Sequence, residues 1–583
     1  MTNRLLLSCL LLTFVQLAGC ALGTNMSTTQ TAQPTVPLYG VHEIALTCSE
    51  PLDNPFRDAA ISAEYVSPTG RKIRVEGFYY GDQQWRVRFV PREQGLWKWS
   101  AQMTGCKSQV ASSGTMLCSG TAGRGFLKVS KKNPFRFEYE DGTPFYPIGI
   151  QTCNFLHPDF DGPNPASEGS RWRSVSTPEW LEAFKGAVNL VRTQFGQGRA
   201  DGSCFCLIPA PPKKPKGQTQ PTQPAPVKPI PIDQYDLEMA LKLDQTYQLH
   251  RAAGISQILI LYQDMSLWGP QENTTGAPCA FGNARDLVNY KNVKAPNMPQ
   301  QEQYIRYIVA RYGCYVDIWE IFNEDSYAPD DYLAHLAGVI RAADPYHHLL
   351  TTNYTRPNAA WSDLNTWHEY MGMPANEVDA HIVSQIAVLK SYGKPVQNTE
   401  FGNQGKLPNV DPVKWRIAVW TAFMQESGLL FWGMSGNQTQ GRKTGTGNSN
   451  AYIGPDSRQH FRVFHQLTGD LPVDMRPVPS GFTGHTDIRL YALCDARQGI
   501  LYVHHFQDHT MPCPPQKVMM QTGPGLWRVQ WFDPSDGKEV MTTDVSNLQQ
   551  YIHIQTPPVT VDLVARLKRL GPPTPPTLAA EPD

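Results

Sequence analysis

The chain has 583 residues and a formal net charge of −1, with 51 Lys and Arg against 52 Asp and Glu. That length exceeds what one hydrophobic core organises, so about three domains are expected. The balanced charge excludes the footprint of a nucleic-acid or anionic-membrane binder, and no nucleic-acid partner is expected.

Residues 1–20 read as a targeting segment. Arg4 forms a short basic start, and Leu5 to Val15 is an apolar run of signal-peptide length. The following Leu17-Ala18-Gly19-Cys20 resembles the bacterial lipobox, in which the signal is cut before a cysteine whose sulfur carries lipid. The resemblance implies lipid attachment at Cys20, a membrane reached through that lipid, and a place in the bacterial cell envelope at the outer membrane or in the periplasm. A plain secretory signal, with Cys20 incidental and the protein secreted, is the alternative. No other apolar run approaches the ~20 residues that span a bilayer. Residues 21–35 are rich in Ser, Thr and Gln and read as a flexible tether.

Residues 36–130 alternate in short strands broken by turns: EIALTC, AISAEYV, KIRVEGFYY, QWRVRFV and LWKWSAQ. No helical pattern interrupts them, which predicts a β-sandwich. Asn54-Pro55-Phe56, Gly77-Phe78-Tyr79, the run from Trp85 to Pro91 and Gly95-Leu96-Trp97-Lys98-Trp99 resemble an immunoglobulin-like module that precedes the catalytic barrel of several bacterial glycoside hydrolases.

Across 131–472 the rhythm changes to strand, helix, strand. Candidate strands are YPIGIQ (146–151), NLVRTQFG (189–196), ISQILILYQ (255–263), VDIWEIFNE (316–324), HLLTTNY (348–354), DLNTWHEY (363–370), PVQNTEFG (395–402) and GLLFWG (428–433). Helical patterns separate most of them; Tyr304, Ile305, Ile308, Val309 and Tyr312 fall on one helical face. Repeated βα units predict a parallel sheet closed into a (β/α)₈ TIM barrel. Residues 355–362, between the fifth and sixth strands, are too short for a crossover helix. The stretch 208–232, IPAPPKKPKGQTQPTQPAPVKPIPI, cannot pack as a core. It is expected as a long exposed loop on the barrel's C-terminal face, either bordering a cleft or merely solvated. Strands return across 473–570 (DIRLYALCDA, GILYVHHFQ, LWRVQWFDP, TVDLVARL), predicting a second, smaller β-sandwich, and 571–583 read as a proline-rich disordered tail.

The chain has 12 cysteines, and an exported protein oxidises them readily. Cys106–Cys118 and Cys494–Cys513 are candidate local staples. Cys204-Phe205-Cys206 lacks zinc-site spacing, and no metal site is expected.

The stretch DIWEIFNED, Asp317 to Asp325, places four carboxylates in and around an apolar strand. Burying a carboxylate is costly unless it is paired or used. Strand parity puts Trp319 and Ile321 under the outer helices and Ile318, Glu320, Phe322 and Glu324 toward the barrel interior. Asn323 has the wrong parity and needs a strand-end bend or bulge to join them. Glu320 is expected to support Glu324 or bind an arginine. Glu400 ends the seventh strand as Glu324 ends the fourth, so both face one barrel mouth.

Asn323-Glu324 and Glu400 resemble the acid/base and nucleophile of the clan A retaining glycoside hydrolases. Arg192 in the second strand, His368 and Tyr370 in a His-x-Tyr at the sixth, and Trp432 at the end of the eighth match that pattern. FEYEDGTPFYPIGIQT (137–152) resembles the first strand of the apiosidase-like branch, and Trp531-Phe532-Asp533-Pro534 resembles the C-terminal domain of the same hydrolases. The resemblance implies an exported retaining glycoside hydrolase acting on a plant, algal or other complex polysaccharide or its side chains, with no metal or organic cofactor.

In that chemistry one carboxylic acid protonates the leaving oxygen and one carboxylate attacks the anomeric carbon. Glu324 is expected as acid/base, its pKa raised by burial and by Glu400; Glu400 is the expected nucleophile, kept ionised by Arg192 and hydrogen-bonded by Tyr370. Substrate contacts are expected from Arg192, Asn323, His368, Tyr370, Trp432 and Gln151, with Trp361, Trp367, Phe401 and Phe195 as candidate stacking rings and Asn154, Gln263 and Asp264 as positional candidates. Two alternatives remain at this point. One is transglycosylation by the same residues. The other is a non-catalytic surface lipoprotein that binds glycan or collagen with a degenerate barrel.

Overall fold

The computed structural model describes residues 33–152, 157–158, 174–194, 233–263, 292–403, 411–432, 453–482 and 487–573. Cys20 and its signal, the 208–232 insertion, Asn154, Phe195, Asp264 and residues 574–583 lie outside the described residues.

Eight parallel strands form the central sheet: β1 (Ile148–Thr152), β2 (Leu190–Gln194), β3 (Ser256–Gln263), β4 (Ile318–Asn323), β5 (Leu349–Thr351), β6 (Asn365–Met371), β7 (Val396–Asn403) and β8 (Ser427–Phe431). The connections carry α1 (Thr177–Phe184), α2 (Leu237–Ala252), α3 (Met298–Tyr312), α4 (Asp330–Ala343), α5 (Val378–Lys390) and α6 (Pro412–Met424), and α7 (Pro455–Thr468) follows β8. Local sequence starts several helices. Ser176 and Glu179 form a reciprocal capping box on α1. The Asp236 and Asp411 side chains accept from Met239 N and Lys414 N at the heads of α2 and α6. The apolar stripe of α3 is buried as its spacing predicts.

The sheet order is β5-β4-β3-β2-β1-β8-β7-β6. The expected closed barrel is thus an open, curled sheet whose ladder stops between β5 and β6. The cause is the short connection already visible in the sequence: no helix lies between these strands. The two edges meet through other bonds. Asp363 N donates to Leu350 O at 2.8 Å, Thr351 Oγ1 to Leu364 O at 3.0 Å, and Thr366 Oγ1 to Thr352 O at 2.9 Å.

A small antiparallel sheet (Leu127–Val129, Phe137–Tyr139, Pro144–Phe145) covers the N-terminal end of the strands. Leu127, Phe137, Tyr139 and Phe145 pack there with Leu190, Ile258, Ile318, Leu349, Leu364 and Leu430. This accounts for the first carboxylate of DIWEIFNED. Asp317 Oδ1 accepts from Leu127 N at 3.1 Å and Oδ2 from Gln257 N at 3.0 Å, locking the cover to the sheet.

On the N-terminal side, a five-stranded sheet faces a three-stranded one, and Tyr65 stacks on Phe89 across the gap at 3.9 Å between centroids. On the C-terminal side, a six-stranded and a three-stranded sheet share a core around Trp527, Val518 and Ile552. Both modules dock on the helices. Arg88 Nη1 donates to Asp244 Oδ1 of α2 at 2.8 Å, and Arg416 Nε of α6 donates to Asp562 Oδ2 at 3.0 Å.

The expected staples are replaced. Cys48 pairs with Cys106, while Cys118, Cys494 and Cys513 are free and buried. Hairpin register explains the first correction: Cys118 lies opposite Gly95, at the far end of the hairpin from the turn that holds Cys106. Cys494 lies opposite Gly499 and Cys513 opposite Val559, on separate pairings.

Asp344, buried at the end of α4, accepts from Tyr346 N, His348 N and His348 Nδ1 at 2.8–3.0 Å. Burial pushes its pKa up, but the His348 charge and these donors outweigh that and hold it at about 2, below the ordinary 3.8. A depressed carboxylate stabilises the fold above its unfolded pKa and loses that contribution as pH falls through the folded value. The difference corresponds to roughly 2 kcal/mol. Asp344→Asn is expected to flatten the stability curve between pH 4 and 2, measured by urea midpoints in acid.

Candidate active site

Arg192, on β2 and fully buried, is the hub. Its Nε donates to Glu320 Oε2 at 2.8 Å and its Nη2 to Glu320 Oε1. Nη2 also donates to Asn323 Oδ1 at 2.7 Å, and Nη1 donates to Glu400 Oε1 at 2.8 Å and to Gln151 Oε1. A guanidinium has five N–H donors, and all five are matched here. One cation therefore ties β1, β2, β4 and β7 together at their C-terminal ends.

Parity changes along β4 as the chain leaves the sheet. Glu320 points inward to Arg192, as expected. Phe322 was expected inward, but its ring stacks on Tyr262 at 5.1 Å and lies 6.2 Å from Tyr332 of α4, so it belongs to the outer layer. Asn323 turns inward instead. Glu324 then takes a φ of 51°, a left-handed conformation uncommon outside glycine. The bend is held by Asp325, whose N–H donates to Asn353 O at 2.8 Å and whose Oδ1 accepts from Tyr327 N and Ala328 N.

A bulge aims the opposite wall. Trp367 pairs with Asn398 but His368 pairs with Glu400, so Thr399 is an extra residue on β7. The same irregularity recurs against β8. A bulge bends a strand and redirects its side chains, and here it sets Glu400 beside His368. Glu369, one residue on, faces outward to His381 of α5 at 3.0 Å, which leaves His368 and Tyr370 on the inner face.

Four side chains then converge. His368 Nδ1 is 2.8 Å from Glu324 Oε1 and 3.5 Å from Glu400 Oε2. Tyr370 Oη donates to Glu400 Oε2. One atom each from Glu324, His368 and Glu400 lies within 4.8 Å of the other two. Glu400 is 4% exposed, whereas Glu324 is 38% exposed and opens to solvent. The trio could offer one atom each to a cation, but Arg192 and Tyr370 already engage both Glu400 oxygens.

Electrostatics correct one expectation. Burial pushes the Glu324 pKa up, but the His368 hydrogen bond, the His368 charge and Arg192 together outweigh it, so Glu324 sits below the ordinary glutamate value. The sequence shows burial and a neighbouring carboxylate but not the imidazole between them. The Tyr370 phenol is pushed far up, by burial first and then by the Glu400 charge, so it stays a donor. Replacing His368 with Asn removes the two largest influences that hold Glu324 low and leaves burial opposed only by Arg192. The Glu324 carboxyl is expected to titrate at higher pH in that variant, followed by carboxyl ¹³C NMR.

Of the remaining expected residues, Gln151 is buried and engaged by Arg192. Trp432 follows β8, partly buried, and its backbone N–H donates to Phe401 O at 2.9 Å. Phe401 and Trp367 are not platforms. Phe401 is buried against Trp415 and Phe431, and Trp367 packs in the same core. Trp361 is partly buried, and its carbonyl accepts from Arg341. The bulge at Thr399 and the role of Gln151 as an Arg192 acceptor have no local sequence signal.

A family model described only as a domain of unknown function, DUF5060, matches residues 35–104. No curated protein matches the chain. Among solved structures, a protein from Bacteroides vulgatus ATCC 8482, provisionally assigned as a glycoside hydrolase, is 16% identical, with a TM-score of 0.63, covering 92% of this chain and 100% of its own. A family 5 glycoside hydrolase from the same organism is 15% identical with a TM-score of 0.48, covering 76% of this chain and 93% of its own. The first of these likenesses extends over nearly the whole chain, sheets and modules together: this protein has a glycosidase-type fold, a curled eight-stranded parallel sheet with accessory β-modules.

Proposed function

We propose that the protein is an exported retaining glycoside hydrolase. The observation that carries this reading is the approach of Glu324 and Glu400, whose carboxylate oxygens come within 4.8 Å of each other across the C-terminal ends of β4 and β7. Retaining enzymes hold their carboxyl groups about 5–5.5 Å apart, whereas inverting enzymes leave ~6.5–9.5 Å for a water. The two environments differ. Buried Glu400, held by Arg192 and Tyr370, is placed to attack the anomeric carbon as the glycosidic C–O bond breaks. Solvent-open Glu324 gives its proton to the departing oxygen. Water then attacks the glycosyl ester on Glu400, Glu324 takes the water's proton, and the Glu400 carboxylate is released. In the free site the His368 contact favours ionised Glu324; substrate that excludes water favours the neutral acid, whose proton then goes to the leaving oxygen.

The apiosidase-like first strand favours plant or algal side-chain sugars as substrate. A panel of such polysaccharides, with the product anomer followed by proton NMR, tests the proposal. Release with retained configuration supports it. Inverted product, or no release by a protein that is still retained on glycan columns, overturns it in favour of another mechanism or of a binding protein.

The lipobox-like segment supports attachment to the cell envelope through Cys20. Cys20→Ala is expected to move the protein from the membrane pellet to the soluble fraction of expressing bacteria, without altering the activity of the purified chain. An unchanged distribution would remove the anchor from the proposal.

A further inference from the structure

A second cleft, of about 850 Å³, lies on the C-terminal module. Arg497, Gln498, Gln530, Arg566, Lys568 and Arg569 line it. Four cations around one cleft is a local concentration in a chain whose net charge is −1. Asp470 is the acid among its lining residues, and it pairs with Arg566 at 2.7 Å. Among the described residues, Arg497, Lys568 and Arg569 have no carboxylate partner.

The strand register builds the floor. In the six-stranded sheet Lys568 is opposite Gln498 and Arg566 is opposite Gln530, so two cations and two amides share one face. The wall is shaped by a close approach. The Arg569 side chain lies across Gly525, where a Cβ would come within 2.7 Å of Arg569 Nε. Only glycine leaves that guanidinium its place.

The cleft is at the opposite end of the sheet from Glu324 and Glu400. Asp470 follows α7, which runs back from the C-terminal ends of the strands. The next residue, Leu471, accepts from Tyr146 Oη at 2.8 Å, and Tyr146 lies just before β1. The cleft is therefore no extension of the candidate active site.

Its chemistry selects a ligand class. Guanidinium groups bind planar or tetrahedral oxyanions in pairs of charge-assisted bonds, and side-chain amides bind hydroxyls. No aromatic ring lines the cleft, so the stacking that holds neutral sugars is missing from its described residues. The volume is of the size that encloses a small ligand, about 300–1,000 Å³.

We propose that this cleft is a non-catalytic binding site for an acidic polysaccharide segment, recognised through its carboxylate or sulfate groups. The choice of a glycan rests on the glycoside-hydrolase reading of the other end; recognition of the anionic groups does not. Affinity electrophoresis of the full chain in gels containing polygalacturonate, a sulfated galactan or neutral galactomannan tests it. Retardation by either acidic gel but not the neutral one is expected, and the gel that retards more distinguishes carboxylate from sulfate. The exposed pair Arg497→Ala/Lys568→Ala should weaken acidic-glycan binding about tenfold or more without changing Tm. Glu400→Gln should bind like wild type, which separates failure at this cleft from failure of the hydrolase reading. Equal retardation by galactomannan, unchanged binding by the double variant, or equal competition by duplex DNA at matched charge would overturn the proposal.

Discussion

Glu400→Gln is expected to lower kcat/KM by about 10⁴-fold or more, the scale seen when a nucleophile, the role proposed for Glu400, is removed from a catalytic set. Glutamine fills the same space and can still accept from Arg192, but it carries no anion to attack the anomeric carbon. The fold should tolerate it. Arg192 faces two carboxylates, Glu320 and Glu400, and losing one leaves a balanced pair. Glu324→Gln is expected to cost less, about 10²–10⁴-fold, because general acid catalysis contributes on that scale. Its loss should depend on the leaving group. A dinitrophenyl glycoside, which departs without a proton, should form the glycosyl-enzyme at a near-normal rate and then stall, since the proposed mechanism also uses Glu324 to activate water. Steady-state and burst kinetics on polysaccharide and activated substrates measure both. Full activity in both variants would dismiss the carboxylate pair as the reacting groups.

Arg192→Met is expected to be the most damaging single change to stability, by about 3–5 kcal/mol, the cost of stripping the counter-ion from a buried charge. Glu320 is fully buried and Glu400 nearly so, and both lean on this guanidinium. Asn323 and Gln151 would lose their donor as well. Two features separate this from ordinary loss of packing. The variant should recover stability as pH is lowered, because a protonated carboxyl no longer needs the cation. Adding Glu320→Gln should restore part of the loss, so a double-mutant cycle should show strong coupling. Additive losses with no acid recovery would mean that Arg192 acts by volume alone. Melting of the single and double variants between pH 5 and 8 supplies the comparison.

Much of this architecture was readable before any coordinates. The eight strand positions followed from short apolar runs, α3 from its 3.6-residue stripe, and the missing crossover from the brevity of 355–362. Glu324 and Glu400 were legible as strand-end carboxylates because strand termini are set by local patterning. Arg192, His368 and Tyr370 could be nominated, but not connected. The misses share one cause. Phe322 and Asn323 exchange faces at the end of β4, just before the chain turns away at Glu324, a change of course that residue type does not announce. Glu400 meets His368 only because Thr399 is extra in the β6–β7 register, which is a property of two strands together. Phe401 and Trp367 were candidate platforms and are core, since any aromatic at a strand end satisfies either role until its neighbours are known. Cys48 finds Cys106 across 58 residues because the folded sheets bring them to a Cα separation of 6.0 Å.

By itself, then, the sequence determined which segments are strands and helices, where a crossover helix is missing, and which acids stand at the rim of the sheet. Those are consequences of periodicity and chain length, which act over a few neighbouring residues. The tertiary structure alone decided that one guanidinium serves Glu320, Asn323, Gln151 and Glu400 at once, and that an imidazole pulls the Glu324 pKa down where burial would have raised it. Charge interactions act through space and fall off with distance, so their sign at a given carboxylate depends on which side chains the fold brings within a few ångströms of it.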